Sequence, residues 1–129
     1  LAAVAANGRV YVIGGRVAGN SANNLGVNEM YDPAANHWTT QAPLPTARSG
    51  IGAAFLNGEI YVLGGETTSK TFDENEVYDP AADHWTTAAQ LPTARHGIGV
   101  VAFNGIILVI GGGKAPGGNG STVNEIFYP

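Results

Sequence analysis

One unit recurs along this chain, and the repetition limits what it can fold into. Asn7-Gly8, Asn57-Gly58 and Asn104-Gly105 are spaced by 50 and 47 residues, and Gly14-Gly15, Gly64-Gly65 and Gly111-Gly112 keep the same spacings. Tyr31-Asp32-Pro33 returns as Tyr78-Asp79-Pro80, Trp38 as Trp85, and Arg48 as Arg95. Residues 31–65 laid over 78–112 agree at 24 of 35 positions. The unit opens again near the end, where Asn124-Glu125-Ile126-Phe127-Tyr128-Pro129 parallels Asn28-Glu29-Met30-Tyr31-Asp32-Pro33. A period of this length marks stacked supersecondary units, none of which buries its apolar face alone.

Each unit carries four strand signals. In the middle one, 49–56 is small and apolar. Asn57-Gly58 follows, the pair best suited to a hairpin turn with positive φ at both central residues. A second strand spans 59–63 and stops at Gly64-Gly65. A third covers 75–78 and closes at Asp79-Pro80. The fourth, 84–87, holds the Trp and Thr that suit a pleated surface. Composition agrees with an all-β chain. Glycine supplies 19 of 129 residues, and each glycine weakens a helix interior by about 1 kcal/mol. Charged residues are only 12% and apolar residues 44%, so a packed core is expected rather than disorder.

The order Arg-x-Gly-x-Gly, apolar strand, Asn-Gly, Ile-Tyr-Val-Leu-Gly-Gly, loop, Glu-x-Tyr-Asp-Pro, then Trp resembles the kelch repeat, three times over. The resemblance implies kelch-type β-propeller blades of four antiparallel strands. Blade 1 is about 1–42, blade 2 about 46–89 and blade 3 about 93–129, the last lacking its outer strand. The resemblance puts the first strand innermost, so Gly50, Gly52, Gly97 and Gly99 are expected where strands crowd the axis. Tyr31, Tyr78, Trp38 and Trp85 are expected to supply buried area between blades. Glu29, Glu76 and Glu125 recur at one position and are expected to accept from local backbone donors.

Three blades fall short of the four to eight of a closed propeller. Two expectations follow. The chain is a fragment or engineered repeat piece of a larger ring, or two copies close a six-bladed ring as a homo-oligomer. Closed symmetry is the norm for such assemblies.

Alternating strand directions put the Asn-Gly and Asp-Pro turns on one side. The loops 16–27, 66–75 and 113–123 lie on the other, with the blade connections 42–49 and 89–96. These loops vary while the frame repeats, and binding residues concentrate on such loops. The candidate binding residues are Arg16, Arg48, Ser49, Arg95, His96, Glu66, Lys70 and Asp73. In similar kelch interaction domains, arginines at the positions of Arg48 and Arg95 help bind acidic peptide segments. A guanidinium suits bidentate carboxylate recognition. The competing reading has both arginines tying the frame together. Ser49 and His96 share one repeat position but differ, which marks His96 as a specific contact.

The expected function is a non-catalytic module that binds a protein or peptide, with an acidic segment the suited target. Alternatives are a carbohydrate-binding or mutarotase-like propeller using Arg48 and Arg95 in the channel. No cofactor, metal or catalytic residue is expected. The chain has no cysteine, which removes disulfides, thiolate metal sites and a Tyr–Cys crosslink. The histidines show no metal-ligand spacing. Gly111-Gly112-Gly113-Lys114 lacks the spacing and Ser/Thr of a phosphate loop. Six basic residues stand singly against ten acidic ones, net −4. That charge gives no footprint for nucleic acid or anionic membrane, and no compartment is indicated.

Overall fold

The structure is a computed structural model and describes residues 1–129. Three antiparallel sheets follow one another along the chain. The first orders β1 (Ala2–Ala6), β2 (Arg9–Ile13), β3 (Asn28–Asp32) and β4 (His37–Thr40) side by side. The second repeats this with β5 (Gly52–Leu56), β6 (Glu59–Leu63), β7 (Asn75–Asp79) and β8 (His84–Thr87). The third has β9 (Gly99–Phe103), β10 (Ile106–Ile110) and, after a small hairpin of β11 (Gly113–Ala115) and β12 (Gly118–Gly120), β13 (Asn124–Phe127). It has no fourth strand.

The Asn-Gly pairs set the register. Ala6 faces Arg9, Leu56 faces Glu59, and Phe103 faces Ile106, each across a two-residue turn. Asn57 and Gly58 take φ of 53° and 89°, as this turn requires. The inner strands begin three residues later than the sequence suggests, at Gly52 and Gly99. Gly50 and Gly97 have φ of 67° and 61° and turn the chain just before the strand, so neither lies on it. Gly52 does mark a close approach, because a Cβ there would collide with the Val100 side chain. The β11–β12 hairpin is a further element that the sequence did not announce.

The core lies between the sheets, and strand periodicity shows why. Ile60 and Val62 on one face of β6 join Tyr11 and Ile13 of the first sheet, with Ile51 and Tyr78. Tyr61 and Leu63 on the other face join Ile107 and Val109 of the third sheet, with Ala54 and Val77. Successive side chains point to opposite faces, so the middle sheet is apolar on both. Burying one such side chain stabilises by about 1.5–3 kcal/mol. Tyr78 lies edge-on to Tyr11 at 5.8 Å and tilted against Trp85 at 5.0 Å.

Candidate functional site

Both repeated arginines are fully buried. Arg48 Nε donates to Thr46 O at 3.2 Å. Its Nη1 donates to Gly64 O at 2.6 Å and Glu74 O at 3.2 Å, and Nη2 to Val62 O at 3.4 Å and Glu76 Oε2 at 2.7 Å. All five N–H groups of its guanidinium are used. Arg95 repeats the pattern with Thr93 O, Val109 O, Gly111 O, Val123 O and, at 2.7 Å, Glu125 Oε2. Burial pulls the Arg48 guanidinium down from its ordinary value, against the opposing pull of Glu76 and Glu74.

The expectation that Arg48 and Arg95 reach a partner is therefore corrected. Each caps the carbonyls left at the strand ends and is sealed from solvent at 0% exposure, out of reach of a carboxylate or a sugar. Glu76 and Glu125 are each also the counterion of an arginine, a pairing the sequence did not announce. Glu76 does accept locally as well, from Thr46 Oγ1 at 2.7 Å and Thr46 N at 3.4 Å.

Four other candidates meet on the loop side. Glu66 is the hub, and its carboxylate is buried. Oε1 accepts from Arg16 Nη1 at 2.9 Å, and Oε2 from the Gly117 N–H at 2.8 Å. His96 Nδ1 stands 3.5 Å from Oε2, while its Nε2 donates to Ala115 O at 2.9 Å. Asn24 Nδ2 donates to Glu66 O at 2.7 Å, and Ser49 Oγ donates to Asn24 Oδ1 at 2.7 Å. Local backbone pairing places these side chains. Ser49 and Glu66 share an isolated bridge, as do Arg16 and Asn24, and His96 and Gly113. Burial pushes the Glu66 carboxyl up, but the Gly117 amide, Arg16 and His96 together outweigh it and hold it below the ordinary glutamate value.

One carboxylate thus links the variable loops of all three sheets. Around it the loop tips stand exposed: Val17 to Asn20, Thr68 to Lys70, Lys114, and Gly117 to Gly120. Lys70 and Asp73 flank the cluster. Lys70 Nζ sits 4.5 Å from the Phe72 ring centroid and 4.0 Å from Glu74 Oε1. Asp73 Oδ1 accepts from Gln90 Nε2 at 3.3 Å. Asn24 and Gly117 were missed in the sequence, because each lies in a loop with no repeat counterpart to flag it.

A family model described as "KLHDC2/KLHL20/DRC7 Kelch-repeats domain" matches residues 1–128. Alpha-scruin of Limulus polyphemus is 42% identical over 62 residues, covering 48% of this chain and 6% of that protein. Kelch-like ECH-associated protein 1A of Danio rerio is 38% identical over 63 residues, covering 48% of this chain and 10% of that protein. Among solved structures, YjhT superposes with a TM-score of 0.73 at 24% identity, over 86% of this chain and 33% of that one. At that identity the likeness shows the fold alone. The chain matches only a small part of the length of each relative.

Proposed function

The chain belongs to the kelch-repeat family, its sheets being β-propeller blades with the third short of an outer strand, and on that premise we propose that it is a non-catalytic protein-binding module. The observation that carries this reading is the Glu66 hub. A buried carboxylate joined to Arg16, Gly117 and His96 holds three dissimilar loops in one arrangement. Loops on a rigid frame are the common place for recognition, and preorganisation lowers the ordering cost of binding. The name of the Danio rerio relative records it as ECH-associated, which agrees with a binding function.

The residues suited to touch the partner are the exposed tips, not the hub. Val17 supplies apolar area, Asn20 and Asn119 supply amides, and Lys70 and Lys114 supply charge. With Arg48 and Arg95 neutralised inside, an acidic segment is one suitable target, held by the lysines. Immobilised chain is compared for retention of a bound protein partner. Val17→Ser with Lys70→Glu lowers retention at least about fivefold with an unchanged melting curve. Glu59→Gln, on the opposite turn side, leaves retention intact. Equal loss from Glu59→Gln, or no loss from the tip variant, overturns the reading.

A second observation favours self-association. Leu63 is 0% exposed between blades 2 and 3, while its repeat counterpart Ile110, on the free face of blade 3, is 47% exposed. Val101 and Ile126 are likewise exposed where Ala54 and Val77 are buried. On the free face of blade 1, Leu1 and Trp38 are exposed where Ile51 is buried and Trp85 half-buried. The two free faces match as the two sides of each existing blade contact match. We propose that a second copy docks head to tail on them, giving six blades.

A further inference from the structure

Glu74 breaks the repeat. The same position carries Val27 in the first unit and Val123 in the third. Its backbone belongs to the frame: Glu74 O accepts from Arg48 Nη1 at 3.2 Å, as Val123 O accepts from Arg95 Nη1 at 3.2 Å. A valine side chain suffices for that role, so the carboxylate is surplus to it. Gln90 departs in the same way, where the first unit has Pro43.

Both departures line one cavity of about 410 Å³, together with Asn75, Glu76, Thr87 and Ala89. It opens at the loop end of blade 2, where β7 starts and β8 stops. Two acceptors on its lining residues have no partner. Glu74 Oε2 is buried and accepts no hydrogen bond, and neither does Asn75 Oδ1. Asn75 is 2% exposed. Its Nδ2 donates to Ala89 O at 3.1 Å, which holds the carboxamide against the cavity wall. Asn28 Oδ1, the counterpart in blade 1, is left in the same state. The bare amide oxygen therefore recurs, and the carboxylate beside it does not. A buried acceptor without a donor is costly, most of all when it is charged.

The charge is unbalanced as well. Glu76 is paired with Arg48 at 2.7 Å. Glu74 has only the exposed Lys70, 4.0 Å from its Oε1, and Asp73 has the neutral amide of Gln90. Two carboxylates thus face one ammonium, which leaves one negative charge in excess.

We propose that this cavity binds the ammonium of one lysine side chain supplied by another protein. The three N–H donors of the ammonium meet Glu74 Oε2, Asn75 Oδ1 and the Thr87 hydroxyl, and the stem lies along Ala89. A guanidinium fits less well, because its fork asks for both oxygens of one carboxylate and Oε1 already faces Lys70. A calcium ion takes about six to eight oxygens, and no group of three acidic or histidine side chains meets here. A diamine would bring two charges where one is wanted. The site goes beyond the loop-tip contacts proposed above, and its test needs no protein partner.

Isotope-labelled chain is titrated with Nα-acetyl-lysine amide while amide shifts are followed. Shifts confined to 74–76 and 87–90 are expected, saturating at about millimolar probe, the range of a small ligand with few contacts. The Nε-acetyl probe lacks the charge and the Nε-trimethyl probe lacks the N–H donors. Each is expected to bind at least about tenfold more weakly, the worth of a charge-assisted hydrogen bond. Glu74→Val installs the residue of the other two units and abolishes the response with an unchanged melting curve. Glu74→Gln keeps the shape, drops the charge and weakens binding at least about tenfold. Absence of shifts at these residues up to the solubility limit of the probe overturns the proposal. So does equal binding of the trimethyl probe, tighter binding of putrescine, or a folded Glu74→Val or Glu74→Gln variant that responds as wild type does.

Discussion

Arg48 and Glu76 form an ion pair of 2.7 Å with both side chains in the interior. Removing one partner of a buried pair strands the other charge and costs about 3–5 kcal/mol. Arg48→Ala is therefore expected to lose about that much stability in urea unfolding. Arg95→Ala is expected to lose less, because Glu125 keeps 14% side-chain exposure and can take up water. Near wild-type stability for Arg48→Ala would refute the frame role. The sequence showed both arginines and their repetition, but repetition of one residue fits a frame and a binding face alike. Only burial separates them. Two glycines divide in the same way. Gly58 has φ +89° and nothing within 4 Å of an added Cβ, so Gly58→Ala carries backbone strain alone, about 1–2 kcal/mol. Gly64 has φ +65° and a Cβ there would lie 2.5 Å from Arg95 O. Gly64→Ala is expected to be the worse of the two in the same unfolding experiment, and the reverse order would sink the steric reading.

Strands that repeat were legible as elements; those held by tertiary contacts were not. Alternation and the Asn-Gly pairs located β6 and β8 to the residue, because turn chemistry and strand period act locally. The β11–β12 hairpin has no such signature. Its Gly-Asn-Gly strand offers no alternating side chains, and the hairpin is seated from outside. The His96 backbone bonds Gly113 in both directions, at 3.0 and 2.9 Å, and Glu66 receives the Gly117 amide. That seat has a pH signature. The folded Glu66 carboxyl titrates below its unfolded value, despite burial, because Gly117, Arg16 and His96 favour its charged form. Its stabilisation is whole above the unfolded glutamate value of about 4.3 and fades as pH falls through the lower folded value. Glu66→Gln keeps one acceptor and loses the charge. It is expected to cost about 1.5–3 kcal/mol at pH 7, with a smaller gap to wild type at pH 3. Urea unfolding at both pH values checks this, and a gap that does not change with pH counts against the hub.

At the scale of the molecule, the decisive quantity is apolar area without a cover. Exposed apolar sheet faces mark contact sites, and here the repeat specifies their complement. Each existing blade contact joins one face of a sheet to the opposite face of the next. On the proposed pairing, the exposed face of blade 3 meets the free side of blade 1. Two copies meeting at both faces make a closed ring with each contact formed twice, which leaves no face open. The sequence supplied the number of blades, but which apolar residues stayed uncovered became visible only in the folded chain. Light scattering at rising concentration is expected to move from one chain mass to two. The melting temperature is expected to rise with concentration, as it does when association stabilises the folded state. Ile110→Asp separates assembly from folding. Ile110 is exposed in the single chain, so the substitution changes monomer stability by no more than about 0.5 kcal/mol. It puts an unpaired charge into the proposed contact, and the mass is expected to stay at one chain throughout. Leu63→Asp, at the buried counterpart, is expected to unfold the protein outright. A wild-type chain that stays at one mass up to millimolar concentration, or an Ile110→Asp variant that pairs as wild type does, overturns docking of a second copy on these faces.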